Sequence, residues 1–214
     1  MAETNIDDEI NIVFERMNAG GSASDAIERL NDLYIDGERR SLYWYVLGVA
    51  WGRVDNLKKA IRCLKNAISV DTSNADAHCE LAVAYAEILE TELARKSAQR
   101  ALDIRASDPY IWRTCGKIFV DLQDYEQGIR LLRAAHTALP DDEGAVRALV
   151  SGLLALTSSL FMGVRWFGNE AHVEMVREAN NLLTDFELKY PRSIHIDEML
   201  NYRDDTEKIL RLIR

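Results

Sequence analysis

From Ser41 to Asp142 the large apolar and the small positions recur every 34 residues, and no gap is needed to keep them in step. Leu47-Gly48 falls over Leu81-Ala82 and Cys115-Gly116. Trp44 then meets His78 and Trp112, and Trp51 meets Tyr85 and Phe119. Further along, Ala60 aligns with Ala94 and Gly128, Leu64 with Ala98 and Leu132, and Ala67 with Ala101 and Ala135. A fixed period of this length marks a repeat architecture in which each period is one supersecondary unit that buries its apolar face only against its neighbours. The small residues predict close helix contacts: Gly48, Ala82 and Gly116 on a first helix, and Ala60, Ala94 and Gly128 on the second. The aromatic positions fill the space between pairs. Pro140 stops a helix, because it lacks the next backbone donor and its ring clashes with the preceding turn.

This pattern resembles the tetratricopeptide repeat family: a large residue, then Leu-Gly, an aromatic, later small and aromatic positions, and a closing proline. The departures are His78 in place of a large apolar residue, Cys115 in place of Leu, Ala98 in place of a large residue, and two missing prolines. The resemblance implies an all-α, right-handed superhelical solenoid of antiparallel helix pairs, with about nine helices in one continuous domain. The repeats are expected at 41–74, 75–108 and 109–142. It also implies where a partner would sit, since the first helix of each pair lines the concave face of such a stack. Carried over position by position, the groove residues are Leu42, Tyr45 and Val49, then Asp76, Cys79 and Val83, then Tyr110, Arg113 and Lys117, with Arg147 following. The early groove is apolar and aromatic and the later groove cationic, which suits a partner with apolar anchors and an acidic stretch that Arg can hold bidentately. The competing reading is that Tyr45 and Tyr110 pack on neighbouring repeats and that Arg113 pairs with Asp76 or Asp121. The carboxylate clamp by which some family members hold acidic chaperone tails is absent, because Leu42 and Val46 stand where it would begin.

Outside the regular block the register extends in weaker form. Subtracting one period gives Ile10, Val13, Met17, Ala26, Leu30 and Leu33, with Asn18 to Ser22 as the turn, so 1–40 is read as a degenerate pair. Phe14 stands where a small residue belongs, which predicts a splayed or differently packed pair. Adding a period gives Val146, Leu149, Val150 and Leu153; the register then returns after 17 extra residues at Ala179, Leu183, Phe186 and Pro191. Residues 143–193 are thus a degenerate repeat with an insertion. Trp166 and Phe167 in that insertion are a second candidate contact, against the alternative that both rings fold back over the long uncharged helix. Residues 194–214, with Ile196, Met199, Leu200, Ile209, Leu210 and Ile213, are expected to form a terminal helix with a polar outer face.

Charge narrows the partner class. The net charge is −9, and residues 1–40 carry ten acidic against four basic side chains. Nucleic-acid binding rests on neutralising phosphates with Lys and Arg, so an acidic chain argues against it. Three cysteines without a C-x-x-C spacing suggest neither a disulfide framework nor zinc, and favour a reducing, cytoplasmic setting. The acidic, polar start lacks the basic and apolar regions of a secretory signal. Ala148 to Val164 is uncharged but shorter than a spanning helix and interrupted by Ser, Gly and Thr, so it is read as buried solenoid helix rather than a membrane span.

No catalytic pattern emerges. The histidines at 78, 136, 172 and 195 show no metal spacing, and the loop Asn18 to Ser24 lacks the Gly-Lys-Ser/Thr of a phosphate loop, leaving Ser22 or Ser24 as a helix cap. No enzyme activity, metal or cofactor is expected. The expected function is a cytoplasmic adaptor or scaffold that binds a protein or peptide. The alternatives are a dedicated secretion-type chaperone and a self-assembling scaffold, in which the chain would homo-oligomerise.

Overall fold

The computed structural model describes residues 5–34, 39–161 and 170–212. Eleven α-helices are found among them: α1 (Ile6–Asn18), α2 (Ala23–Asp32), α3 (Ser41–Arg53), α4 (Leu57–Val70), α5 (Ala75–Glu87), α6 (Thr91–Ile104), α7 (Pro109–Asp121), α8 (Tyr125–Ala138), α9 (Glu143–Phe161), α10 (Glu170–Lys189) and α11 (Ile196–Leu212). This exceeds the nine expected. The difference lies outside the regular block, where the repeat pattern no longer counts helices. The described chain falls into two compact units, 1–107 and 108–214, each built from antiparallel helix pairs.

The 34-residue period is reproduced to the residue. First helices begin at Ser41, Ala75 and Pro109, second helices at Leu57, Thr91 and Tyr125, and their lengths alternate between 13 and 14 residues. Three starts are fixed by side-chain caps: Asn56 accepts from the Lys59 N–H, Asn74 from the Ala77 N–H, and Asp108 from the Tyr110 and Ile111 N–H groups, with Pro109 in the first turn. In the N-terminal pair Ser22 accepts from the Asp25 N–H and so caps α2. The turn inside each repeat places one residue in the left-handed region: Asp55, Leu89 and Gln123, with φ of 59°, 62° and 61°.

Leucine fits that conformation poorly, because its Cβ crowds the following carbonyl. Leu89 is also 87% exposed, so its side chain returns little burial to offset the strain. We expect Leu89→Asn to raise stability by about 0.5–1 kcal/mol, since Asn tolerates this region. A higher urea midpoint checks it; a lower one would mean that the exposed leucine makes a stabilising contact.

Small residues let the helices of each repeat meet. A Cβ on Gly48 would stand 2.7 Å from Leu64 Cγ, and one on Gly116 would stand 2.8 Å from Leu132 Cγ. Ala60, Ala94 and Gly128 are buried opposite them. In unit 1, Ile10, Val13, Met17, Leu30, Tyr43 and Val46 make one core that joins the N-terminal pair to α3. Phe14 packs its ring edge-on to Tyr45 at 5.6 Å, and α1 and α2 touch far less than the helices of the regular repeats, as expected of a splayed or differently packed pair. Arg53 adds a polar tie, its Nη1 donating to Met17 O at 2.7 Å and its Nη2 to Asn18 Oδ1 at 2.5 Å. These bonds satisfy acceptors at the negative end of α1.

Unit 2 lengthens its later helices to 19 and 20 residues in α9 and α10. Of the positions where the register was expected to return, Ala179, Leu183 and Phe186 are buried and Pro191 is exposed. Phe186 and Leu183 join Val146, Val150 and Met199 in a cluster that couples α9, α10 and α11. The end of α10 is fastened back by Tyr190 Oη donating to Asp141 O at 2.7 Å and Lys189 Nζ to Pro140 O at 2.9 Å. The terminal helix α11 therefore covers α10 through Met199.

Candidate functional site

The groove residues expected from sequence lie on the first helices, so each unit presents its own set. In unit 1, Leu42, Tyr45 and Val49 on α3 and Val83 on α5 are half-buried, and they leave part of their apolar surface open. Cys79 is buried at 4% and offers a partner no surface. Tyr45 divides its ring between Phe14 and solvent, so part of the expected packing against a neighbouring pair is real. Burial, with the carboxylates of Glu80 and Asp76 behind it, pushes the Tyr45 phenol above its usual range. Asp76 is ion-paired with Arg105.

In unit 2, Tyr110 is 54% exposed on α7, with the Arg113 guanidinium 5.4 Å from its ring centroid. The expected partners of Arg113 were Asp76 or Asp121. Its Nη1 instead donates to Asp142 Oδ1 at 2.7 Å, across the α8–α9 turn. The same Asp142 oxygen accepts from the Ala145 N–H at 2.6 Å, so it caps α9 as well. Arg147 reaches Glu198 of α11 at 3.4 Å. Two of the three expected cations thus already face a carboxylate of their own unit. Lys117 is exposed, and its charge is felt by Asp121, whose carboxyl is raised by burial and lowered in part by that lysine. Trp166 and Phe167 lie outside the described residues.

Beside Val49 and Val83 the structure opens a cleft of ≈ 310 Å³ between α3, α4 and α5. Gly48, Gly52, Ala60 and Ala84 keep it shallow-walled, its lining is part apolar and part polar, and a Cβ on Gly52 would meet nothing within 4 Å. Arg53, Glu80 and Glu87 stand at its edge. Sequence reasoning passed over Glu80 and Arg53; their register, one turn beyond Asp76 and Val49, was the available signal.

Glu80 is half-buried, and its pKa is raised by that burial, with Arg53 opposing and Asp76 and Glu87 adding to the rise. A carboxyl with a raised folded pKa binds its proton more tightly in the native state than in the unfolded chain. Its contribution to stability therefore falls as pH climbs above the ordinary glutamate value of about 4.3. Glu80→Gln removes that loss. The variant is expected to unfold at higher urea than wild type at neutral pH, and at the same urea once pH falls below about 4. Paired urea titrations at the two pH values check this; an equal midpoint at neutral pH would contradict it.

Other chemistry is sparse. The three cysteines are buried and none is in a disulfide, and burial pushes the Cys63 thiol up to about 11. Burial also lowers the pKa of His78, which favours its neutral ring. Among the described residues no group of three His, Cys, Asp or Glu side chains could hold a metal ion. No described helix is long and apolar enough to cross a membrane.

Comparison with known proteins agrees with the repeat. A family model described as TPR repeat matches residues 55–88, which cover α4 and α5 with their turn. A curated relative, the type IV pilus assembly protein PilF of Pseudomonas aeruginosa, is 29% identical over 101 residues, 47% of this chain and 40% of its own. The chain thus spans well under half the length of that relative. Among solved structures, a crystal structure of MamA superposes with a TM-score of 0.61 at 18% identity, covering 83% of this chain and 95% of its own. YrrB, described as a TPR protein with an unusual peptide-binding site, gives 0.58 at 15% identity over 85% of this chain and 88% of its own. The human IFIT1 dimer with m7Gppp-AAAA gives 0.75 at 14% identity over 96% of this chain and 50% of its own. At these identities the structures speak for the fold alone. Repeat period, helix boundaries, the TPR-repeat match over residues 55–88 and the fold agree in an all-α solenoid of tetratricopeptide-type repeats.

Proposed function

We propose that the chain is a non-catalytic adaptor that holds a peptide or helix of a partner protein on the faces of its first helices. The observation that carries this reading is the open cleft of mixed apolar and charged lining that includes Val49 and Val83, on the surface where helical repeats present extended binding faces. Exposed Tyr110 adds an aromatic anchor on unit 2, of the kind enriched at binding hot spots. The peptide-binding site named for YrrB supports a peptide ligand by likeness of fold. A net charge of −9 supports protein over nucleic acid. The internal pairing of Arg113 and Arg147 weighs against an acidic stretch in the partner and leaves the apolar anchors as the main feature. Three buried cysteines without a disulfide support a reducing, cytoplasmic setting.

The likeness to a pilus assembly protein over 47% of the chain favours, as a second reading, a partner that is itself part of a larger assembly. A pull-down from the native cell tests the main reading, with wild type beside Gly52→Trp and Tyr110→Ala. Gly52→Trp fills the cleft without a clash at Cβ, and Tyr110→Ala trims an exposed ring. Loss of one partner from the folded variants supports the adaptor reading; equal recovery by all three chains overturns it.

A further inference from the structure

We infer that the cleft between α3 and α5 receives a lysine or arginine side chain of the partner, set among apolar residues. This deepens the proposed function and rests on it. The occupant follows from the charge of the cleft. Among the described residues Arg53 is its one lining cation, and it directs one hydrogen bond from each terminal nitrogen to Met17 O and Asn18 Oδ1 rather than to Glu80. Glu80, half-buried on α5, makes no hydrogen bond or ion pair among the described residues, and Glu87 two turns further stands exposed without one. A partly apolar trough therefore ends at two carboxylates with no hydrogen bond or ion pair among the described residues, and Glu80 feels Arg53 only as a nearby positive charge.

A long cationic side chain meets both demands at once. Its aliphatic stem lies along Val49, Gly52 and Val83 while its charged head reaches Glu80, as such side chains do where apolar surface borders polar groups. The cleft of ≈ 310 Å³ sits at the lower edge of ligand pockets, about 300 Å³, and so suits one side chain rather than a whole helix face. A carboxylate partly withdrawn from water forms a stronger charge-assisted bond than one on the open surface. Burial raises the pKa of Glu80 more than the nearby Arg53 lowers it, which agrees with a carboxylate that has no paired counter-charge until the partner arrives.

The test selects a phage-displayed random peptide library on the full chain and measures the selected peptides by fluorescence anisotropy. Selected peptides are expected to carry Lys or Arg at one fixed position between apolar residues. Glu80→Gln is expected to weaken them about tenfold, and exchanging the peptide's cation for norleucine costs wild type the same factor. In the Glu80→Gln chain that exchange costs nothing further, which marks a direct pair. Selection without a fixed cation, or a cation whose loss is equally costly in both chains, overturns the inference. The groove reading then survives if Gly52→Trp still abolishes binding. Peptides that bind the Gly52→Trp chain unchanged, or a selection that returns no peptide, overturn both.

Discussion

Gly128→Val is expected to destabilise unit 2 by about 3 kcal/mol, the upper end of the cost of overpacking a close-packed contact. The reason is mainly backbone, with the β-branched Val120 side chain, whose Cγ2 would stand 2.7 Å from the new Cβ, adding to it. A Cβ at Gly128 would stand 2.8 Å from Gly116 O and 2.9 Å from Val120 N, atoms of α7 that move only if the whole helix moves. Repeat three is tighter than repeat one by the same measure: a Cβ on Gly116 lies 3.0 Å from Gly128 O, whereas one on Gly48 lies 3.4 Å from Ala60 O. Glycine within a helix costs up to about 1 kcal/mol of propensity relative to alanine, so any replacement recovers part of the loss. Packing wins because valine adds two methyl groups beyond the clashing Cβ. Urea unfolding, with hydrogen exchange of the α7–α8 amides, reads the effect; a variant as stable as wild type would mean that the pair can part at little cost.

Phe186→Ala is expected to cost about 4 kcal/mol, in the range of buried phenylalanine truncations. Phe186 is 1% exposed and lies in the cluster of Val146, Val150, Leu183 and Met199, with the Tyr190 ring 5.0 Å from its own. Because that cluster draws on three helices, its loss frees α11 first, and exchange protection of α11 falls further than that of α7. Phe186→Leu keeps most of the volume and is expected to cost about 1 kcal/mol. Equal exchange at α11 in wild type and Phe186→Ala would show that the terminal helix is held by something else.

The regular block was legible because its small residues have one geometric use. Gly48, Gly116, Ala60 and Gly128 sit where helices touch, and their recurrence at 34 residues fixed helix starts that the structure reproduces. The ends were less legible. Beyond Leu153 the period breaks, and the lengths of α9 and α10 follow from a core shared with α11 rather than from a repeat. The left-handed turn positions went unread, since Asp55, Leu89 and Gln123 share a conformation and no side-chain type.

The site was legible as a surface and not as a charge pattern. Leu42, Tyr45, Val49, Val83 and Tyr110 follow from register alone. The pairing of Arg113 with Asp142 and of Arg147 with Glu198 joins residues 29 and 51 positions apart and depends on how two turns close. The diversion of Arg53 to the end of α1 likewise belongs to tertiary structure, 36 residues from Met17. Glu80 became a candidate only once that diversion left it without a partner.

The measurement that tests the central claim most directly is site-specific photo-crosslinking in the native cell. A benzophenone-bearing residue is placed in turn at Val83 and Tyr110, on first helices, and at Lys96 and Arg130, exposed on second helices. The account predicts one shared partner protein captured from Val83 and Tyr110 and none from Lys96 or Arg130. Capture of the partner from Lys96 or Arg130, with none from Val83 or Tyr110, would contradict it.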